Sequence, residues 1–205
     1  MTATKQRIIK TSERLFFQYG IANVRLQQIA DEVGISVGNL AYHYKNKEAI
    51  VSAVYDALLY ELSEILSAYL VYPDLSDFDK QFSDLFTFLN ENIFYINNIW
   101  EIERTYPDIK KEWAALNNKI LLQLKKRIKY NIQRGIIKQE SYPGEHDLLA
   151  QSLFLSIDFW IPQQLLRGKP VSATLYKKAL WGLLFPHFTE EGKKEFDKII
   201  IPILN

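Results

Sequence analysis

Apolar residues recur at three- and four-residue steps along almost the whole chain, and no segment keeps the strict alternation of a β-strand. The first such segment covers about residues 4–19, with Gly20 placed to end a helix there. Its predicted apolar face consists of Ile8, Ile9, Ser12, Leu15, Phe16 and Tyr19. We therefore predict an all-α protein that opens with an amphipathic helix.

The same periodicity predicts further helices, separated by glycine, proline and capping residues. Pro73 and a capping-box pattern from Ser76 to Asp79 predict the start of a helix that carries a phenylalanine-rich stripe. The predicted helices after the first are a short one with Leu26, Ile29, Ala30 and Val33, one from Ser36, a long one at about 47–70, the one from Ser76, a short one before Pro107, and helices at about 109–134, 145–167, after Ser172 and after Thr189.

The segment from Ala30 to Leu40 has the packing pattern of a helix-turn-helix. A small residue, Ala30, allows two helices to cross closely, and Gly34 permits the left-handed backbone of the turn. Ile35 and Leu40 are spaced to anchor both helices to one core. Residues 1–50 are therefore predicted to form a three-helix DNA-binding domain, and the long fourth helix links it to residues 51–205.

The second helix of this motif begins after Ser36, which is a good N-cap residue, and its first residues are placed to enter a major groove. Asn39 offers a paired donor and acceptor, Val37 can touch a thymine methyl group, and Gly38 lets the backbone come close to the bases. Four further candidates are predicted to contact phosphates, namely Tyr42, His43, Lys47 and Arg25. Gln27 and Gln28 on the preceding helix either contact the DNA backbone or simply face solvent.

Residues 7–54 resemble the DNA-binding domain of TetR-type (tetracycline-repressor-like) transcriptional regulators. The resemblance is carried in order by "FFQYG", "IA", "VGIS", "GNL", "YHY" and "KNKEAI". Three positions depart from the family's usual residues: Val24 replaces a threonine that contacts phosphate, Val37 replaces a lysine, and Ala41 replaces a tyrosine. None of these changes breaks the predicted fold.

Net charge and composition modify this interpretation only slightly. The chain of 205 residues carries a net charge of +1. Residues 1–50 hold seven basic and four acidic side chains, which mildly favours an anion-facing N-terminal segment. With no cysteine, no apolar leader and no long apolar run, the sequence predicts a protein of the cytoplasm without a membrane span or a disulfide.

The sequence contains few features typical of a catalytic or metal-binding site. The three histidines, His43, His146 and His187, lie far apart in the chain, and none has the spacing of a helical metal site. Phosphate-binding loops, serine elbows and paired-carboxylate motifs are also missing from the sequence. We therefore predict no catalytic activity, no metal and no cofactor.

Aromatic residues are abundant beyond residue 55, and most of them are expected in the core. They are Phe86, Phe88, Phe94, Tyr95, Trp100, Trp113, Phe154, Phe159 and Trp160. Polar residues within these apolar segments indicate a pocket, above all Asp158, because a carboxylate on an apolar helix needs a partner. The candidate ligand-binding residues are Phe86, Asn90, Trp100, Asn117, Phe154 and Asp158.

Similarity to TetR-type regulators implies that the larger C-terminal helical domain dimerises and binds a small effector. The helices at about 145–167 and after Ser172 would then form the dimer interface, and "LYKKALWGLLF" at 175–185 has a suitable apolar face. The expected function is that of a dimeric repressor on a pseudo-palindromic operator, released by a small molecule. The alternative is a helical DNA-binding regulator without a ligand, which is constitutive or controlled by a protein partner.

One basic run remains outside these assignments. The segment "LKKRIKYNIQR" at 124–134 resembles a second nucleic-acid patch in composition. Positive charges near the end of a helix also complement its dipole, so we interpret the run as a solvated helix face.

Overall fold

The computed structural model describes residues 2–68, 74–93 and 98–204, and these residues are almost entirely helical. The all-α prediction is confirmed within them, where the extended contacts amount to a single antiparallel bridge between Ile137 and Phe188. The α-helices are α1 Ala3–Tyr19, α2 Leu26–Val33, α3 Val37–His43, α4 Lys47–Ser67, α5 Leu75–Glu91, α6 Ile99–Thr105, α7 Pro107–Gln133, α8 Glu145–Leu166, α9 Ala173–Leu184, α10 Glu190–Ile199 and α11 Ile201–Leu204, with a 3-10 turn at Phe185–His187.

A few predictions fall on residues that are not described. They concern Pro73, Phe94 and Tyr95, and the predicted end of the fourth helix near residue 70, all of which lie outside the described ranges. The predicted helix boundaries elsewhere agree closely with the structure, since Gly20, Gly34 and Gly135 follow helix ends with φ angles of 78°, 75° and 75°.

The predicted capping box at the start of α5 is wrong. Ser76 lies inside the helix, and the cap is Asp74, whose Oδ1 accepts a hydrogen bond from the Asp77 N–H at 2.9 Å. Asp79, the predicted capping partner, is buried instead. An aspartate two residues earlier satisfied the same free N–H groups, so the helix starts earlier and Asp79 faces the protein interior.

The described chain divides into two compact units. The N-terminal unit comprises Met1–Glu61 and Asn92–Ala114, and the C-terminal unit comprises Leu62–Glu91 and Ala115–Asn205. The N-terminal unit therefore includes most of α4, all of α6 and the start of α7 in addition to the first three helices. The functional division at residue 50 stays a prediction, because compactness does not assign a function to either side.

The N-terminal unit is built on the apolar faces that the sequence pattern identified. Its fully buried side chains include Ile8, Phe16, Ile29 and Leu40. The prediction for Tyr19 is wrong, because its side chain is 46% exposed. Tyr19 is the last residue of α1, directly before the Gly20 cap, and at a helix end the chain leaves the packed face and a ring can extend into solvent.

The C-terminal unit is organised around a buried polar cluster within an aromatic core. Asp79 on α5 accepts a hydrogen bond from Lys177 Nζ at 2.8 Å and a second from Trp181 Nε1 at 3.0 Å. The Trp181 ring meets those of Phe82 and Phe196 edge to face, each at a centroid distance of 5.5 Å. The cluster links α5 to α9 and places a buried carboxylate with two hydrogen-bond donors in the interior of the unit.

Candidate nucleic-acid interface

The turn between α2 and α3 has the geometry that its sequence predicts. Gly34 adopts the left-handed conformation with φ 75° and ψ 41°. The Ile35 N–H donates to the Ala30 carbonyl at 3.0 Å, and Leu40 is fully buried. Ser36 caps α3, because its Oγ accepts a hydrogen bond from the Asn39 N–H at 3.1 Å. The start of α3 is therefore rigidly positioned on the core.

Five of the ten predicted DNA-contacting residues lie on α3. Gly38, Asn39 and Tyr42 are exposed, with the Tyr42 side chain 84% accessible, while Val37 and His43 are half-buried. The Tyr42 and His43 rings meet edge to face at 5.3 Å. Among the described residues, the Asn39 side chain makes no hydrogen bond, so its amide group is available to an external partner.

The residues predicted on and before α2 are less uniform. Arg25 is exposed and takes the N-cap position of α2 without a side-chain capping bond. Gln27 is exposed but donates from Nε2 to Asp31 Oδ1 at 2.7 Å, and Gln28 is half-buried. Arg25 is therefore the freest phosphate-contact candidate on this helix, whereas part of the Gln27 amide is already used within the helix.

Lys47 has an internal role that the sequence did not indicate. Its Nζ donates to the Ala22 carbonyl at 3.1 Å and so ties the first turn of α4 to the loop between α1 and α2. Partial burial lowers the pKa of the Lys47 ammonium, an effect that the charges of Glu101 and Glu48 oppose. A phosphate contact from Lys47 would use its remaining donors.

The same loop is held by α6, a segment far away in the sequence. Buried Asn98 accepts a hydrogen bond from the Ile21 N–H at 3.2 Å, and Glu101 accepts one from the Ala22 N–H at 3.3 Å. The loop leads directly to Arg25, so α6 fixes the entry to α2. These contacts span 77 and 79 residues, and no local sequence signal predicts them.

The six predicted ligand-binding residues differ in burial and in the unit to which they belong. The Phe86 ring contacts the Tyr176 ring at 5.4 Å, and burial together with the nearby Asp158 charge raises the pKa of Tyr176. Phe154 and Asn117 are half-buried, Asn90 is exposed, and Trp100 is 75% exposed in the N-terminal unit. A cavity of about 310 Å³ in the C-terminal unit is lined by other residues. The predicted effector contacts stay predictions.

Comparison with known families gives matches along most of the chain. Residues 8–54 match the model described as "Bacterial regulatory proteins, tetR family", and residues 58–196 match the model TetR, described as "Bacterial transcriptional repressor". The chain therefore belongs to the TetR family, whose members are DNA-binding transcriptional regulators with a helix-turn-helix.

Individual relatives agree with this assignment. The chain is 51% identical over 51 residues to the uncharacterized HTH-type transcriptional regulator YerO of Bacillus subtilis, covering 25% of this chain and 18% of YerO. It is 32% identical over 111 residues to the HTH-type transcriptional regulator RutR of Escherichia coli K12, covering 54% of this chain and 46% of RutR. These alignments thus span less than half of either relative.

A solved structure shows the same fold over nearly the full chain. The TetR-family regulator from Marinobacter aquaeolei VT8 superposes with a TM-score of 0.82 at 21% identity, covering 95% of both chains.

Within the described residues, no helix is long and apolar enough to span a bilayer.

Proposed function

We propose that this regulator is a repressor that binds a pseudo-palindromic operator as a homodimer and is released by a small-molecule effector. The observation that carries the proposal is the start of α3, where capped and exposed Gly38 and Asn39 project from a rigid helix-turn-helix. A helix presented in this way reads base edges with its first residues. The site of action is the cytoplasm, where operator DNA lies.

Specificity and affinity come from different side chains in this proposal. Asn39 pairs with a base edge, Val37 contacts an adjacent methyl group, and Gly38 allows the close approach. Arg25, Tyr42 and His43 contact phosphates and fix the orientation of α3 in the groove. Ser36 contributes mainly as the cap of α3, because its oxygen already accepts the Asn39 N–H.

Dimerisation is proposed on the exposed apolar faces of α8 and α9. Leu155 and Leu166 on α8 are 57% and 89% exposed, and Leu175 on α9 is 41% exposed. Two large apolar faces on neighbouring helices are costly for a monomer in water. Pairing them with the same faces of a second chain forms a four-helix interface with two-fold symmetry, which matches a pseudo-palindromic operator.

Effector control is proposed to act through α4. This helix begins with Lys47, which donates to the Ala22 carbonyl of the loop before α2, and it ends at Ser67 in the C-terminal unit. An effector that favours a different position of α4 changes the separation of the two α3 helices in the dimer. Coupling of this kind is typically worth ~1–3 kcal/mol, or about 5- to 150-fold in operator affinity.

The decisive experiment is binding-site selection from random and genomic DNA with the purified protein. We expect enrichment of one pseudo-palindromic sequence. Asn39→Ala should flatten the preference at one base position per half-site, because a bidentate contact gives ~1–3 kcal/mol of discrimination. The matched control is Asn118→Ala, which removes an exposed asparagine on α7 and should leave the selected sequence intact. The role of Asn39 is wrong if both variants select the wild-type sequence.

A second prediction concerns the phosphate contact of Arg25. In Arg25→Gln, operator affinity should fall and the slope of log K against log salt should become shallower by ~0.9 for each phosphate contact removed. The fold should be unchanged, because Arg25 is exposed and makes no capping bond. Lys111→Gln, a matched charge removal at an exposed site on α7, should keep the slope. Equal slopes for the three proteins exclude the contact.

A further inference from the structure

One cavity in the C-terminal unit combines an apolar lining with positive charge. It has a volume of about 310 Å³ and is lined by the last turns of α4 and the middle of α7. We call it the α4–α7 cleft. The lining from α4 consists of Ser63, Leu66 and Ser67, and the lining from α7 consists of Leu116, Lys119, Leu122, Gln123 and Lys126.

The lining residues of α7 lie on one helical face, because they follow three- and four-residue steps. Leu122, between the two lysines along the helix, is 53% exposed and offers apolar surface to a ligand. Lys119 and Lys126 are the charged residues among those that line the cleft, and no carboxylate lines it within the described chain. The cleft therefore has an apolar floor between two positive ends.

Hydrogen bonds hold the polar walls of the cleft in place. Gln123 donates from Nε2 to the Leu66 carbonyl at 2.9 Å, and its Oε1 accepts from Gln81 Nε2 at 2.8 Å. The Ser67 hydroxyl donates to the Ser63 carbonyl at 2.6 Å. Since these groups are already engaged, the lysine ammonium groups are the strongest donors left to a ligand.

Three other residues of the basic run on α7 have their own partners or are buried, so the interpretation of the whole run as one solvated face is wrong. Lys125 pairs with Asp147 at 2.9 Å, and Arg134 pairs with Glu195 at 2.8 Å. Arg127 is 1% exposed and lies over the Phe78 ring at 5.1 Å. Lys126 instead lines the cleft, so its environment differs from that of its neighbours in the sequence.

We propose that the α4–α7 cleft binds a small amphipathic anion, an aliphatic monocarboxylate. The hydrocarbon chain covers Leu116, Leu122 and Leu66, and the carboxylate accepts hydrogen bonds from Lys119 or Lys126. The volume lies at the lower end of the ~300–1,000 Å³ range of small-molecule pockets. The two lysines are seven residues apart, ~10 Å along the helix, which leaves room for a chain of moderate length between them.

Only the effect of the bound anion on DNA rests on the proposed function. Because α4 supplies one wall of the cleft, a bound chain contacts the helix through which effector control is proposed. Binding itself is a property of the C-terminal unit and can be measured without DNA.

Calorimetric titration of the full chain with octanoate tests the binding, with octanol and octyltrimethylammonium as neutral and cationic probes of equal chain length. We expect saturable octanoate binding that is at least tenfold tighter than binding of either other probe. Lys119→Gln/Lys126→Gln should weaken octanoate binding at least tenfold. Lys111→Gln/Lys129→Gln, with the same loss of charge on exposed positions of α7, should bind octanoate normally.

Three outcomes separate the possibilities. Equal binding of the three probes, or no difference between the two double variants, overturns the proposed site. Selective octanoate binding without release of the selected operator supports the site and contradicts effector control through it. Selective binding by a protein that selects no operator supports the site and contradicts the proposed function. Melting temperatures of the variants confirm that each one folds.

Discussion

Replacing Asp79 with asparagine is expected to lower the free energy of unfolding by ~3–5 kcal/mol, because removing one partner of a buried ion pair leaves the other charge uncompensated. Asp79 and Lys177 have side chains only 6% and 8% exposed, and their charged atoms are 2.8 Å apart. Asparagine still offers an oxygen to the Trp181 N–H, so the lost free energy of unfolding comes mainly from the unpaired charge of Lys177. Scanning calorimetry at fixed protein concentration should show a melting temperature lower by roughly 6–20 °C.

Two further variants give this prediction a sharp test. Glu91→Gln removes an exposed carboxylate on the same helix and should change stability by no more than ~0.5 kcal/mol. Asp79→Leu/Lys177→Met removes both charges and should recover much of the loss, although the Trp181 N–H then lacks its acceptor. The ion pair is unimportant if Asp79→Asn is no more destabilising than Glu91→Gln.

Replacing Gly38 with leucine is expected to leave the protein folded and to weaken operator binding by at least ~100-fold, which corresponds to ~2.7 kcal/mol. A Cβ built on Gly38 meets only the Ser36 Oγ, at 3.9 Å, an ordinary contact. Leucine also has a higher helix propensity than glycine by up to ~1 kcal/mol, so the fold should gain stability. In the proposed complex, the DNA groove is the surface that excludes the added side chain.

A graded series makes the Gly38 prediction specific. Gly38→Ala should give an intermediate loss of affinity, because its side chain adds one carbon atom at the same position. Circular dichroism and melting temperature should match or exceed those of the wild-type chain for both variants. Wild-type operator affinity in Gly38→Leu would place this part of α3 away from the DNA, and reduced stability would mean that Gly38 serves the fold.

Much of the helix-turn-helix could be predicted because its signals are local. Ser36 caps α3 by accepting a hydrogen bond from the Asn39 N–H, only three residues away in the chain. Gly34 takes the left-handed conformation that the turn requires. The buried positions of Ile29, Ala30 and Leu40 follow from helical periodicity. The candidate DNA-contacting surface of α3 follows from the same periodicity, because the residues opposite a buried helix face are exposed.

Contacts between distant parts of the chain could not be predicted from these local signals. Asp79 resembled a helix-capping residue, yet its partners Lys177 and Trp181 are 98 and 102 residues away. Lys47 resembled a surface cation, yet it donates to Ala22, 25 residues earlier. An aspartate can cap a helix or accept buried hydrogen bonds, and a lysine can face solvent or donate to a distant carbonyl. The residues that lie near the side chain in space decide which of these contacts it makes.

The sequence by itself determined the helical class, most helix boundaries, the helix-turn-helix and the family, because capping, glycine turns and apolar periodicity act within a few residues. Tertiary structure alone decided that α6 supports the loop before Arg25 through Asn98 and Glu101. It also decided that Lys119 and Lys126 share an apolar cleft with α4. Hydrogen bonding and cavity formation depend on distances in space, which only the packing of distant helices sets.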